Sequence, residues 1–155
     1  MTCMDRTTEY AKLIVSGKRI CGHSEYLACR RHLDDMKNKD FEFTFDVKEA
    51  ERHIDIANTL VIGEGVEQAR LQTRGFQNFV IGSLHGWRRK RSKHLRFREA
   101  YIQWGRQNGK SFTAGSEAND RATFSGYNFG RIFCTATKQE QANIVWDEVA
   151  KFLNS

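Results

Sequence analysis

The residues whose types most clearly suggest chemistry lie between Tyr101 and Ser111, where a glycine-containing turn leads into Gly109-Lys110-Ser111. Glycines let successive backbone N–H groups point at one anion, and the positive end of a helix adds to that attraction. A lysine at this position would reach the β- and γ-phosphate oxygens, and the Ser111 hydroxyl would ligate Mg²⁺. The pattern predicts a phosphate-binding loop for a nucleoside triphosphate and its magnesium ion.

The spacing of this loop departs at one position from the usual motif G-x-x-x-x-G-K-[ST]. The first glycine is expected at residue 104, which is tryptophan, and Gly105 stands one place later. Arg106 lies inside the loop, where its planar guanidinium could pair with the γ-phosphate and stabilise charge during phosphoryl transfer. A surface arginine with no such role remains an equal alternative.

A strand and a helix must hold such a loop in place. The apolar residues from Tyr101 enter it as a predicted strand, and Gly-Lys-Ser is predicted to open a helix. A polar loop over 119–130, a second strand over 131–136 and a helix over 139–153 follow. Ala142, Val145, Val149 and Phe152 are expected on the inner face of that last helix. This order predicts an α/β fold, an incomplete P-loop NTPase with a parallel βαβ arrangement and flanking helices.

The residues before the loop predict a mainly helical N-terminal arm over 1–74, with the front part of the ATPase domain over 75–155. Helices are expected over 5–16, from Ser24, and from a capping box at Asp46 as far as Gly63. Alternating phenylalanines at 41, 43 and 45 predict a half-buried strand. A further helix from Gly75 is expected to carry its apolar face on Phe76, Val80, Leu84 and Trp87 and to run directly into a basic segment.

Gln77, about thirty residues before Lys110, has a chemical rationale beside its neighbour Phe76. A glutamine amide can donate to and accept from adenine, and an aromatic ring can cover the face of the base. An exposed glutamine next to a buried phenylalanine on an ordinary helix is the competing interpretation.

Four potential zinc ligands, Cys21, His23, Cys29 and His32, lie within twelve residues. Their spacing does not fit paired ligands on separate elements, because Cys29 and His32 fall on one predicted helix. We therefore expect a buried Cys29 thiol and a surface histidine at 32. The cysteines at 3, 21, 29 and 134 suit reduced thiols better than a disulfide framework.

Composition describes a folded protein with a locally concentrated positive charge. The chain has 155 residues, 28% of them charged, and a net charge of +6. Seven of its cations fall within the eleven residues from Arg88 to Arg98, which contain no acid. Such a run favours a polyanionic partner, although a solvated loop that only aids solubility would look the same. There is no apolar run long enough to span a membrane and no apolar core of a secretory signal, so a cytoplasmic location is expected.

Several separated segments occur in an order and spacing typical of one family. They are Thr8-Glu-Tyr-Ala, Ala28-Cys-Arg-Arg-His-Leu-Asp-Asp, Phe43-Thr-Phe-Asp, Phe76-Gln-Asn-Phe-Val-Ile-Gly with Gly86-Trp87, Gly105-Arg-Gln-Asn-Gly-Lys-Ser and Ala136-Thr-Lys-Gln-Glu-Gln-Ala. Together they resemble the N-terminal part of the large terminase subunit of tailed bacteriophages, the ATP-driven motor that packages DNA into procapsids and carries a C-terminal nuclease.

The resemblance implies ATP and Mg²⁺ as cofactors and assigns roles by position. Lys110 and Arg106 become catalytic, Ser111 binds the metal, and Gln77 reads adenine. The implied cofactor-binding residues are Phe76, Gln77, Gly105, Arg106, Gln107, Asn108, Gly109, Lys110 and Ser111. The implied partners are double-stranded phage DNA, the portal protein, the small terminase subunit and further copies in a homo-oligomeric ring, with no membrane, in the host cytoplasm.

One expected element has no match. Family members have a Walker B segment, an apolar strand ending in Asp-Glu, whereas the apolar runs Phe41–Asp46 and Leu60–Glu64 precede the loop and do not end in that pair. We therefore expect these 155 residues to be a truncated part that binds nucleotide without useful turnover. Two alternatives stay open: a basic DNA- or portal-docking fragment without ATP turnover, and a small kinase-like transferase.

Overall fold

The computed structural model describes residues 4–62, 69–70, 72–124 and 131–154. The chain divides into two compact units, the first formed by Met1–Ile54 and Thr73–Ala100 and the second by Asp55–Gln72 and Tyr101–Ser155. Helices dominate both units, and the described strands form two small antiparallel pairs. The architecture is mixed helix with two-stranded sheets, which is compatible with part of an ATPase domain. Among the described residues there is no helix both long and apolar enough to cross a membrane.

The first unit contains most of the helices. Its elements are α1 (Arg6–Val15), α2 (His23–Lys37), β1 (Phe43–Phe45), the start of α3 (Val47–Thr59), α4 (Gly75–Gly86) and β4 (Trp87–Arg89). Helices α1 and α3 both begin at an aspartate cap: the Asp5 carboxylate accepts from the Thr8 N–H at 2.9 Å, and Asp46 accepts from the N–H groups of Lys48 and Glu49. Only this half of the predicted capping box is confirmed, since the Asp46 N–H donates to the Gly86 carbonyl at 2.8 Å. Gly17, at φ +73°, ends α1 in the left-handed conformation that glycine adopts without strain.

The core of the first unit forms where α1 packs on α2 and α4. Tyr10, Ala11, Ile14, Cys29 and Phe79 are buried together there. Gly82 of α4 permits this close approach, because a Cβ at that position would lie 1.8 Å from the Thr7 hydroxyl oxygen on α1. The expected burial of Cys29 is confirmed, and loss of hydration raises the pKa of its thiol to about 12.

The expectation for the apolar face of α4 is confirmed for Trp87, which is buried, and wrong for the other three residues. Its buried positions include Gln77, Asn78, Phe79, Ile81, Gly82 and His85, whereas Phe76, Val80 and Leu84 are only half-buried. Polar residues are buried there because their groups find hydrogen-bond partners inside the protein. The helix also ends at Gly86, and the basic segment opens as β4, which pairs antiparallel with β1 in the register Phe43 with Arg89.

The second unit contains β2 (Val61–Ile62) paired antiparallel with β3 (Ala69–Arg70), and the helices α5 (Lys110–Phe124) and α6 (Gln139–Asn154). Leu60, Phe112 and Phe152 form its buried cluster, with the two phenylalanine rings edge to face at 5.5 Å. The predicted last helix is confirmed, and Val149 and Phe152 face inward as expected. Helix α5 continues to Phe124, so the loop expected from Asn119 begins too early; residues 125–130 lie outside the described residues.

The two strands predicted around the phosphate loop do not form in this structure. Residues 101–104 and 131–136 have no ladder pairing, and Tyr101 and Phe133 are 89% and 79% exposed. A strand exists through hydrogen bonds to a neighbouring strand, and none of the described segments pairs with either run. The parallel βαβ arrangement is therefore not confirmed.

Candidate nucleotide-binding site

The loop from Gly105 to Gly109 is exposed and conformationally unusual. Gln107 and Gly109 both have positive φ angles, +60° and +71°. A non-glycine residue at positive φ is uncommon, and backbones that alternate between right- and left-handed conformations form concavities lined by N–H groups that hold anions. The sequence did not indicate the conformation of Gln107, which belongs to the predicted cofactor-binding set.

Lys110 is the first residue of α5, as the Gly-Lys-Ser pattern predicted. The N–H and the hydroxyl of Thr113 both donate to the Gly109 carbonyl, at 2.9 and 3.0 Å, which fixes the first turn. The Lys110 ammonium donates to the Trp104 carbonyl at 3.0 Å. The lysine thus folds back over the loop that it closes, and its charged group lies on the loop side of the helix N-terminus.

The remaining loop residues are available to a ligand. Arg106 is exposed and makes no ion pair with the described residues, while its carbonyl accepts weakly from the Asn108 amide at 3.4 Å. Ser111 is half-buried in the first turn of α5. A lysine, an arginine and a hydroxyl therefore lie within one loop and one helical turn, a set of donors suited to phosphate oxygens.

Gln77 and Phe76 lie in the first unit, at the start of α4. Gln77 is 5% exposed, and its Oε1 accepts from the Arg74 N–H at 2.8 Å, so the side chain caps the helix. Phe76 is half-buried against the core cluster of Tyr10, Ile14 and Phe79. The bond to Arg74 fixes which end of the Gln77 amide faces away from the helix, a constraint that sequence reasoning did not include.

One pattern was missed in the sequence. The apolar run Ile144-Val145-Trp146 is followed directly by Asp147-Glu148, which matches a Walker B segment by residue type. The structure places it in the middle of α6, with Ile144 and Trp146 50% and 59% exposed and Asp147 exposed. A Walker B pair follows a buried strand, so this segment does not provide one.

The expectation of a surface histidine at 32 is wrong. His32 is buried, its Nδ1 accepts from the Trp87 indole N–H at 3.0 Å, and its Nε2 lies 3.0 Å from the Thr8 hydroxyl. Because Nδ1 accepts, the ring proton is on Nε2 and is donated to Thr8. Both ring nitrogens are engaged within the protein, and neither has a lone pair for a metal. Burial lowers the pKa of His32 to about 4.

Comparison with known proteins identifies the family to which the chain belongs. Residues 75–155, just over half of the chain, match the family described as "Terminase large subunit, ATPase domain". The part of the chain that carries the loop and both helices α5 and α6 is therefore ATPase domain. The chain belongs to the terminase large subunit family, that of the phage DNA-packaging ATPases. Neither the curated proteins nor the solved structures contain a match.

Proposed function

We propose that this chain is the ATP-binding N-terminal part of a terminase large subunit, which powers packaging of viral DNA into procapsids. The observation that supports this most directly is the exposed loop with left-handed Gln107 and Gly109, which opens a 15-residue helix at Lys110 inside the family match. The loop has the Walker A residue types, with tryptophan in place of the first glycine.

Phosphate binding is assigned to the residues from Gly105 to Ser111. The N–H groups of the loop and of the first turn of α5 would donate to the phosphate oxygens. The Lys110 ammonium would leave the Trp104 carbonyl and donate to β- and γ-phosphate oxygens instead. This exchange replaces a neutral acceptor by an anionic one, which strengthens the bond. Arg106 would add a second positive charge toward the γ-phosphate.

The Ser111 hydroxyl fits a magnesium ligand. Magnesium prefers hard oxygen ligands and usually takes one or two from the protein, with the others from phosphates and water. Ser111 is half-buried in the first turn of α5, next to the proposed phosphate-binding lysine, and its hydroxyl makes no hydrogen bond to the described residues. With magnesium bound, the ion would neutralise phosphate charge; the chain contributes the hydroxyl, Lys110 and Arg106.

Gln77 and Phe76 are proposed to read the base. With Oε1 held by the Arg74 N–H, the amide of Gln77 has a fixed orientation, and ordering it costs no further rotamer entropy on binding. A glutamine distinguishes adenine from guanine because adenine presents an amino group where guanine presents a carbonyl.

Membership of the terminase family extends the proposal to partners. Double-stranded phage DNA, the portal protein and the small terminase subunit are the proposed partners, with a homo-oligomeric ring in the host cytoplasm. In this proposal residues 101–104 and 131–136 are strands of a parallel sheet once neighbouring strands pair with them, which would give the P-loop βαβ fold.

Calorimetric titration with Mg·ATP tests phosphate binding. Lys110→Ala removes charge-assisted bonds worth about 2–3 kcal/mol, so the Kd should rise roughly 30- to 150-fold. Lys138→Ala is the matched control, since Lys138 is an exposed lysine just before α6 with no glycine-containing loop beside it. Equal affinity of wild type and Lys110→Ala, or equal losses in both variants, would refute the assignment.

A second candidate function is a DNA- or portal-docking fragment that does not use ATP. The charge of the first unit favours it, because that unit contains 18 basic and 11 acidic residues, whereas the second unit is close to neutral. No measurable ATP binding by wild type, together with salt-sensitive DNA binding, would support this alternative.

A further inference from the structure

The basic hairpin, defined here as residues Arg88–Arg98, is a folded element. The Arg89 N–H donates to the His94 carbonyl at 2.8 Å, and the Arg96 N–H donates to the Trp87 carbonyl at 2.9 Å. Lys93, at φ +59°, turns the chain and donates its N–H to the Arg89 carbonyl at 2.9 Å. The seven cations of the run therefore have fixed places on a turn that extends from β4.

Four of these seven cations are already engaged by the protein. Arg88 pairs with Glu49 at 2.8 Å, Arg89 with Glu42 at 3.1 Å and Arg96 with Asp35 at 2.6 Å. Lys90 donates its ammonium to the Lys39 carbonyl at 2.8 Å. Arg96 also lies over the rings of Phe41, Phe43, Trp87 and Phe97 at 4.7–5.6 Å. These bonds anchor the hairpin to the first unit: carboxylates neutralise the three arginines, whereas Lys90 keeps its charge and is held at the Lys39 carbonyl.

The other three cations, Arg91, Lys93 and Arg98, have a different environment. All three are exposed, and across residues 4–62, 69–70, 72–124 and 131–154 they pair with no carboxylate. Arg91 and Lys93 flank Ser92 at the turn, where the side chains are polar and exposed. The buried centre of a protein interface is depleted of charged residues, whereas a phosphate backbone is bound by cations and hydroxyls of the kind found at this turn.

We propose that Arg91, Ser92 and Lys93, with Arg98, form a contact surface for the phosphate backbone of double-stranded DNA. The anchored cations, Arg88 and Arg96 above all, hold this surface in place. The choice of DNA over another polyanion rests on the proposed packaging function, while the surface itself is independent of the nucleotide loop. It contacts phosphates, so it positions DNA without reading its sequence.

The number of cations that contact phosphates determines how strongly DNA binding depends on salt. Each neutralised phosphate contributes about −0.9 to the slope of log K against log salt. Three contacts give a slope of about −2.7, which is roughly a 40-fold loss of affinity between 50 and 200 mM salt. If all seven cations bound phosphates, the loss would be several thousand-fold on the same relation.

The test is fluorescence anisotropy of a labelled 30-base-pair duplex with the full 155-residue chain over that salt range. Arg91→Ala/Lys93→Ala should reduce the salt effect to roughly 3- to 4-fold, as one contact predicts. Lys12→Ala/Lys18→Ala removes the same charge from two exposed lysines of the first unit and should leave the slope unchanged. Far-UV circular dichroism and thermal melting establish that both variants are folded.

The proposal is overturned if the hairpin variant keeps the wild-type slope, or if the lysine control loses as much as the hairpin variant. Polyglutamate of matched charge that competes equally with DNA for the hairpin would also overturn it, in favour of an acidic protein. Lys110→Ala separates this proposal from the nucleotide site: DNA binding should persist when ATP binding is lost. A wild-type chain that binds DNA through this surface but does not bind ATP would refute only the proposed function.

Discussion

Acidification should destabilise the first unit through His32. The ring is buried among Phe45, Phe79 and Trp87, whose rings meet it edge to face at 4.7–5.8 Å, and both its nitrogens are used in hydrogen bonds. Protonation would require Nδ1 to donate, which breaks the bond from the Trp87 indole and places a charge in an apolar site. Burial is accordingly the main reason that the pKa of His32 falls from 6.5 to about 4.

The sign and size of the effect follow from this lowered pKa. Above pH 6.5 His32 is neutral in both the folded and the unfolded chain, so its contribution to stability is complete. Between pH 6.5 and 4 the unfolded chain binds a proton that the folded chain does not, and the free energy of unfolding falls with pH. The lowering of the pKa from 6.5 to about 4 corresponds to about 3 kcal/mol of stability lost by pH 4.

Urea denaturation between pH 4 and 7.5, followed by the fluorescence of Trp87, measures this loss. Replacing Trp104 and Trp146 by phenylalanine leaves Trp87 as the single tryptophan of the three. His32→Gln in that background can still accept from the indole and donate to Thr8, but the glutamine does not titrate. Its free energy of unfolding should therefore lack the loss of about 3 kcal/mol that His32 causes between pH 6.5 and pH 4. Parallel pH dependence in the two proteins would show that His32 does not carry the effect.

Three further predictions concern the base, the packing of α4 and turnover. Gln77→Ala should reduce the preference for ATP over GTP in competition binding, and equal loss of both nucleotides would count against base reading. Gly82→Ala should lower the free energy of unfolding by about 1–3 kcal/mol or prevent folding, because the new Cβ would clash with Thr7. In the control Gly22→Ala, no atom lies within 4 Å of the new Cβ, so thermal melting should show a loss under about 1 kcal/mol. Steady-state assays of the 155-residue chain should find no useful ATP turnover, since a missing preorganised group costs about a hundredfold or more; turnover near one per second that disappears in Lys110→Ala would contradict this.

The sequence by itself determined the elements whose cause is local. Helix caps, glycine stops and apolar residues three and four apart depend on neighbours in the chain, so α1, α6 and the starts of α3 and α5 were predictable. The end of α3 was not: the helix was expected as far as Gly63, whereas it ends at Thr59 and Val61–Ile62 pair as a strand. The residue types of the loop from Gly105 to Ser111 and the order of the motifs also predicted the terminase family. The left-handed conformation of Gln107 was not predictable, because its residue type does not require it.

Tertiary structure alone decided which polar groups are buried and which charges are engaged. The residues that bind the basic hairpin, and the one that binds Trp87 just before it, are remote in the chain. Arg88 pairs with Glu49, 39 residues away, and Arg96 pairs with Asp35, 61 residues away. The Trp87 indole donates to His32, 55 residues away. Likewise, an apolar run becomes a strand only when another strand pairs with it, which is why residues 131–136 carry strand-forming residues and no strand. Local patterns set conformational preference, but pairing and burial depend on contacts that the chain forms only by folding.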